Sequence, residues 1–153
     1  MISDNFNDLT AFLTRFVDRL SPRERKRMLT KVGQSLRRSN SARIAANIQP
    51  DGTAMPPRRR RDGPGNRGKM FRRLRQARIL KVRATADDVT VGFIGNAQKV
   101  AQVHHFGKVD VVGHTRDGRT IRARYVSRQL LGIGAQDERE TFDAIYRHLS
   151  PDE

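Results

Sequence analysis

At residue 79 the apolar pattern changes period, from helical spacing to alternation, and this sets helices first and then strands interrupted and closed by helices. On the helical side, residues 4–20 place Phe6, Leu9, Phe12, Leu13, Phe16, Val17 and Leu20 on one stripe of a short helix. Ser21-Pro22-Arg23-Glu24 then reads as a new start. Ser21 can cap, Pro22 suits the first helical position, and Glu24 can reach back as a capping box. The spacing predicts a second helix running to about Asn47. Its apolar face is Met28, Leu29, Val32 and Leu36, continuing through Ala42, Ala45 and Ile48, and Gly33 and Ser39-Asn40-Ser41 are points where it can bend.

Gln49-Pro50-Asp51-Gly52 is a stop built from turn residues. Across residues 49–67 the prolines and glycines interleave with Arg58-Arg59-Arg60-Arg61, and no apolar period survives. This reads as a long extended loop that orders against a partner. Lys69 to Arg78 regains helical spacing through Met70, Phe71 and Leu74. On the alternating side, Leu80–Ala84 and Val89–Ile94 form a hairpin around Ala86-Asp87-Asp88. Asn96 is placed to cap a short helix carrying Val100, Val103 and His104, with Gly107 as its stop. Lys108–Val112 and Thr120–Tyr125 make a second hairpin turning at Asp117-Gly118. A last helix is expected over about Asp137 to Leu149, with Phe142, Ile145, Tyr146 and Leu149 on one side. The class is α+β: N-terminal helices, a long basic Pro/Arg loop, and a small mostly antiparallel sheet of two hairpins with packed helices. One domain over 1–153 is expected, with a helical part (1–48), an extended basic loop (49–68) and an α+β body (69–153).

The formal charge of +15 on 153 residues is not evenly spread. Residues 21–83 hold 20 Lys/Arg against only Glu24, Asp51 and Asp62, while both flanks are close to neutral. Such a block faces a polyanion or an acidic protein surface, and nucleic acid is its commonest partner. A solvated arginine face or a disordered arm carries similar weight on charge alone. With no Cys there is no disulfide framework, thiolate metal site or Cys nucleophile, and the apolar runs are too short to span a bilayer as a helix. The N-terminus lacks a basic-then-apolar leader. The expected setting is a reducing cell interior, or a particle assembled there.

Catalytic chemistry finds little support. His104 and His105 are adjacent and face different sides of any helix, and no His-x-x-x-His spacing occurs with His114 or His148. The carboxylates fall at a hairpin turn (Asp87-Asp88), a helix start (Asp137-Glu138-Glu140) and a tail (Asp152-Glu153). Gly63-Pro64-Gly65-Asn66-Arg67-Gly68-Lys69 looks like a phosphate loop, yet it follows an Arg/Pro run instead of a strand. The expectation is a non-enzyme with no metal or cofactor. The helix at 22–47 could lie along a phosphate backbone, and Arg58–Arg61 could enter a minor groove. No helix-turn-helix, zinc-finger or RNP-type pattern accompanies them, and Phe6, Phe12, Phe16 and Phe142 read as core.

From Arg43 onward the order of short motifs resembles the phage virion morphogenesis family, the tail completion proteins of temperate contractile-tailed phages. The pieces are Arg43-Ile44, Gln49-Pro50-Asp51-Gly52, Met55-Pro56-Pro57-Arg58 with its basic loop, and Lys69-Met70-Phe71 with Leu74-Arg75. They continue with Val91-Gly92-Phe93, Val103-His104-His105-Phe106-Gly107 and Arg128-Gln129-Leu130-Leu131-Gly132. Val126-Ser127 stands where the family pattern has a Pro-Ala pair, which leaves that local turn open. The resemblance implies a structural virion protein, assembled in the bacterial host cytoplasm, that finishes the head-proximal end of the tail and lets it join the head. It implies a homo-oligomeric ring, six- or twelve-fold, stacked among tail tube, terminator and head connector, with no membrane partner. On this reading Pro56, Pro57, Arg58, Arg59, Arg60 and Arg61 form a docking loop. Arg67, Lys69, Arg72, Arg73 and Arg75 contact an acidic surface, or packaged DNA without sequence preference. The His104–Gly107 motif is expected to be a helix end packed on the sheet, and Arg128 a buried ion-pair partner. The alternative function is a sequence-independent or regulatory nucleic-acid-binding protein using the 21–83 block.

Overall fold

The computed structural model describes residues 11, 13–58 and 69–150. Expectations resting on Phe6, Leu9, Phe12, the arginines 59–61 and Arg67 lie outside the described residues. A first helix, α1, covers 13–19, and α2 runs unbroken over Pro22–Ala46. Two hairpins follow: β1 (Leu80–Ala84) with β2 (Val89–Phe93), and β3 (Val109–His114) with β4 (Thr120–Arg124). Between them lies α3 (Asn96–Phe106), and α4 (Ala135–Leu149) closes the order. The class is α+β, but the hairpins form two separate two-stranded sheets. No described helix is long and apolar enough to cross a membrane.

The described chain divides into two compact units. One takes the segments up to Leu36, Val82–Val91 and Ala135 onward. Here α2 approaches the first hairpin at Gly33, where an added Cβ would lie 2.5 Å from Val82 Cγ1 and 2.6 Å from Val89 Cγ2. Gly33 is therefore a contact point on an unbroken helix. Ser21 Oγ accepts the Glu24 N–H at 3.4 Å, half of the expected capping box. The Glu24 carboxylate turns instead toward Arg27 (3.8 Å) and His148 (3.7 Å). In α4 the inward face is Asp137, Thr141, Ala144, Ile145, His148 and Leu149. Phe142 and Tyr146, expected on the packed side, are each 73% exposed. They sit one residue around the helix from the face that Asp137, itself buried, carries inward. Leu13 and Val17 of α1, and Leu20 just after it, are exposed as well.

The second unit, Arg37–Lys81 with Gly92–Gly134, holds the larger core. Ile44, Met55, Leu74, Ala101 and Leu130 are buried together, with Met70, Phe71, Ile79, Phe93 and Ala97 packed around them. Ile44, Leu80 and Leu130 are fully enclosed, each worth roughly 1.5–3 kcal/mol of transfer free energy. The buried line of α2 here runs through Asn40 and Ile44, while Ala42 is exposed. Residues 70–79 form turns with a bend at Gln76 and not the expected helix, and Phe71 takes a positive φ of 59° that interrupts helical geometry near the start. Asn96 is the first residue of α3, and Gly95, at φ 60°, occupies the cap position without a side-chain bond. At the far end Gly107 is a left-handed stop, with the Lys108 N–H returning to Val103 O at 2.9 Å. β3 and β4 pair antiparallel from Val109↔Arg124 to His114↔Thr120, with a bulge between Val111 and Gly113.

Candidate functional site

The segment 125–132 gathers the motifs that the sequence spaces far apart. It begins by finishing α3, whose last carbonyls have no partner within the helix. Arg128 N–H donates to His104 O at 2.8 Å, Ser127 Oγ to His105 O at 2.7 Å, and Tyr125 N–H to Lys108 O at 3.1 Å. Leu130 N–H donates to His105 Nδ1 at 3.1 Å, which leaves the proton of the neutral ring on Nε2. The helix end packs on this strap after β4.

The same strap holds the turn that ends α2. Gln49 N–H bonds Thr53 O at 2.8 Å, Met55 N–H bonds Asn47 O at 2.7 Å, and Asn47 turns the chain with φ 56°. Asp51 accepts the Thr53 N–H at 2.9 Å and the Thr53 hydroxyl at 2.6 Å. These two bonds, the hydroxyl first, hold its carboxyl below the ordinary 3.8. Across from this turn, Gln129 N–H donates to Gln49 Oε1 at 3.0 Å. Gly132 N–H donates to Asn40 Oδ1 at 3.0 Å, and Arg43 Nη2 donates to Gly132 O at 2.7 Å. An added Cβ on Gly132 would fall 2.5 Å from Pro50 Cγ, so only glycine admits the proline ring there.

Beyond Met55 the chain reads Pro56-Pro57, two residues without N–H groups that cannot pair as an inner strand. Their carbonyls still need donors, and one side chain serves both. Arg128 Nε donates to Pro56 O at 2.7 Å and Nη2 to Pro57 O at 2.8 Å, with Nη1 at 3.4 Å from Val126 O. Arg128 is only 6% exposed. Among the described residues it meets carbonyl oxygens and no carboxylate, which corrects the expected ion pair. A planar guanidinium suits this task because its donors are fixed in a fork. Burial, and then the nearby Arg58 charge, lower the Arg128 pKa below the usual guanidinium range.

His104 belongs to the same cluster. Its ring stands edge-on to Phe71 (4.9 Å between centroids) and to Tyr125 (4.7 Å). Burial first, and then Arg128 and Arg58, hold it below the ordinary 6.5, so it packs as a neutral ring. Its Nδ1 is enclosed without a hydrogen-bond partner among the described residues.

Of the expected docking loop, then, Pro56 and Pro57 are fixed by their carbonyls and Arg58 follows them, exposed. Arg59, Arg60, Arg61 and Arg67 lie outside the described residues. Lys69, Arg72 and Arg73 are exposed, Arg72 and Arg73 on turns of the second unit. Arg75 is half-buried, and its carbonyl accepts the Ser41 hydroxyl at 3.0 Å. Sequence reasoning missed Asn40 and Arg43 as the residues that grip Gly132. The available signal was that Asn40 sits four residues before Ile44 on an otherwise apolar line.

The model of the phage virion morphogenesis family matches residues 4–150. Among curated relatives, the tail completion protein S of Escherichia phage P2 is 34% identical over 143 residues, covering 90% of this chain and 92% of the relative. No solved structure matches the chain.

Proposed function

The chain belongs to the phage virion morphogenesis family, and from that premise we propose that it completes the head-proximal end of a phage tail and enables the tail to join the head. It acts as a structural component of the virion, without catalysis, in a homo-oligomeric ring. Its neighbours are other neck and tail proteins: the terminator, the tube and the head connector. The relative from phage P2 is named for tail completion, and the match spans nearly the whole of both chains.

The observation that carries the docking role is the grip of Arg128 on Pro56 and Pro57. A buried fork fixes the start of the arginine-rich segment on a hydrogen-bonded hub, so the arm leaves from a defined point. From there Arg58–Arg61 reach an acidic surface on the next ring, with Lys69, Arg72 and Arg73 alongside. Charge of this kind contributes more to encounter and register than to final affinity.

Complementation tests the reading. Phage lacking the protein are expected to make full heads and tails that stay separate, and the wild-type chain to restore joining. A chain with Arg58, Arg59, Arg60 and Arg61 changed to Gln is expected to fold, enter tails and leave them unjoined. Infectious particles at the wild-type level with that variant would remove the docking role from the arm.

A further inference from the structure

We propose that the outer edge of β4 receives an extended, acidic segment of another protein as a third strand of its sheet. The β3–β4 sheet has only two strands, and a hairpin of that size is marginal unless something covers it. Every residue of β4 except Ala123 is exposed, and so are Val109, Val111 and Val112 on β3. None of these residues belongs to the arginine arm.

The ladder fixes which main-chain groups are available. In an antiparallel pair, successive residues turn their N–H and C=O groups alternately toward and away from the partner strand. Thr115 N–H bonds Arg119 O at 2.8 Å and Tyr125 N–H bonds Lys108 O at 3.1 Å, so Arg119 and Tyr125 both face β3. Between them Ile121 and Ala123 face β3 too, and Thr120, Arg122 and Arg124 turn their main-chain groups outward. The bulge lies on β3, between Val111 and Gly113, and leaves this count on β4 unbroken. Among the described residues none bonds the outward groups. β3 presents no such edge, because the bulge interrupts it and Asp110 Oδ1 accepts the Val111 N–H at 2.8 Å.

The outward row repeats every second residue, about 7 Å apart, and offers donors and acceptors in turn. A peptide main chain answers both, whereas nucleic-acid phosphates bring acceptors only and leave the carbonyls unmet. The side chains set the partner's charge. Thr120, Arg122 and Arg124 share one face of the strand, and Ile121 and Ala123 share the other. The acids of the hairpin are engaged elsewhere, Asp110 with Lys99 at 3.9 Å and Asp117 with Arg119 at 3.2 Å. Among the described residues Arg122 and Arg124 have no ion-pair partner. Like charges placed opposite each other destabilise a sheet, so β4 of a second copy is a poor occupant. The match is a strand with carboxylates beside Arg122 and Arg124 and apolar residues beside Ile121 and Ala123. In such strand addition the main chain supplies affinity and alternate side chains supply choice.

Isothermal titration of the full chain with a short synthetic peptide of alternating Glu and Val tests the edge. Saturable binding is expected, weaker by about tenfold or more with Arg122→Gln/Arg124→Gln. Arg122→Lys/Arg124→Lys should retain it, and Lys81→Gln/Arg83→Gln on β1 should leave it unchanged. An added strand turns only one of its two sets of N–H groups toward β4. Of two peptides, one N-methylated at every Glu and one at every Val, one should therefore lose binding and the other keep it. Absence of saturable binding, equal affinity of the two methylated peptides, or equal weakening by the β1 and β4 variants overturns the proposal. Sedimentation showing that Arg122→Gln/Arg124→Gln breaks up an assembly of the chain also overturns it, and gives the edge to a second copy. Displacement of the peptide by a DNA duplex whose own binding falls with the same variant overturns it in favour of nucleic acid.

Discussion

Arg128 and Pro57 lie 71 positions apart in the chain and 2.8 Å apart in the fold, guanidinium Nη2 to carbonyl oxygen. With the matching bond from Nε to Pro56 at 2.7 Å, this contact joins the strap after β4 to the start of the arginine-rich segment.

Removing that fork leaves two proline carbonyls without their donors. Arg128→Met is expected to lower stability by about 2–4 kcal/mol, the scale of losing two bonds to a charged donor in a buried site. Arg128→Lys should fall between, since one ammonium cannot span both oxygens in a fork. Urea unfolding of the three chains measures the order.

Gly33 sets a steric limit of another kind. Gly33→Ala puts a methyl group 2.5 Å from Val82 Cγ1, and overpacking of this sort costs about 1–3 kcal/mol. Adding Val82→Ala should recover part of the loss. A double-mutant cycle by thermal unfolding shows whether the two sites couple as direct contact requires.

The two faces of α4 should respond differently. Phe142 is 73% exposed, so Phe142→Ser should change the stability of the isolated chain by less than about 0.5 kcal/mol. Ile145 faces inward, and Ile145→Ser is expected to cost about 1–2 kcal/mol from lost burial. Equal effects in thermal unfolding would return the aromatic pair to the packed side.

Protonation of the buried imidazoles gives a pH dependence with a definite sign. Burial, with Arg128 and Arg58 adding to it, holds His104 below 6.5, and burial alone does the same for His105. Below 6.5 the unfolded chain takes up protons that the folded chain resists, so stability falls as pH drops from 6.5 toward the folded values. Above 6.5 neither group contributes a slope. The double variant His104→Phe/His105→Gln keeps a ring between Phe71 and Tyr125 and an acceptor for the Leu130 N–H. Its melting temperature should vary less between pH 7 and pH 5 than that of the wild type.

The elements were largely legible from period and punctuation. Pro22 and the apolar spacing announced α2, and Gln49–Gly52 announced its end. The change to alternation announced both hairpins, and Gly107 announced the stop of α3. What failed had a local cause in each instance. Residues 69–78 carry helical spacing, but the positive φ of Phe71 that turns its ring toward His104 is a tertiary demand no period encodes. Phe142 and Tyr146 share a helical stripe with Ile145, and hydrophobicity alone does not say which edge of a stripe is covered.

The site was legible as a set of motifs and not as a mechanism of holding them. Gln49–Gly52, Met55–Arg58, Val103–Gly107 and Arg128–Gly132 meet through hydrogen bonds to main-chain groups. Main-chain acceptors leave no mark in a sequence, so Arg128 read as one half of an ion pair. Met55 is buried, and residues up to Pro57 belong to the hub. Changes meant to disable the arm must therefore begin at Arg58.

Locating the protein in intact particles bears most directly on its place in the virion. Cryo-electron microscopy of whole phage should find several copies related by rotational symmetry at the head-proximal end of the tail. A particle complete in head, neck and tail yet lacking the protein, with the chain found instead on DNA in infected cells, would contradict a structural role and favour nucleic-acid binding.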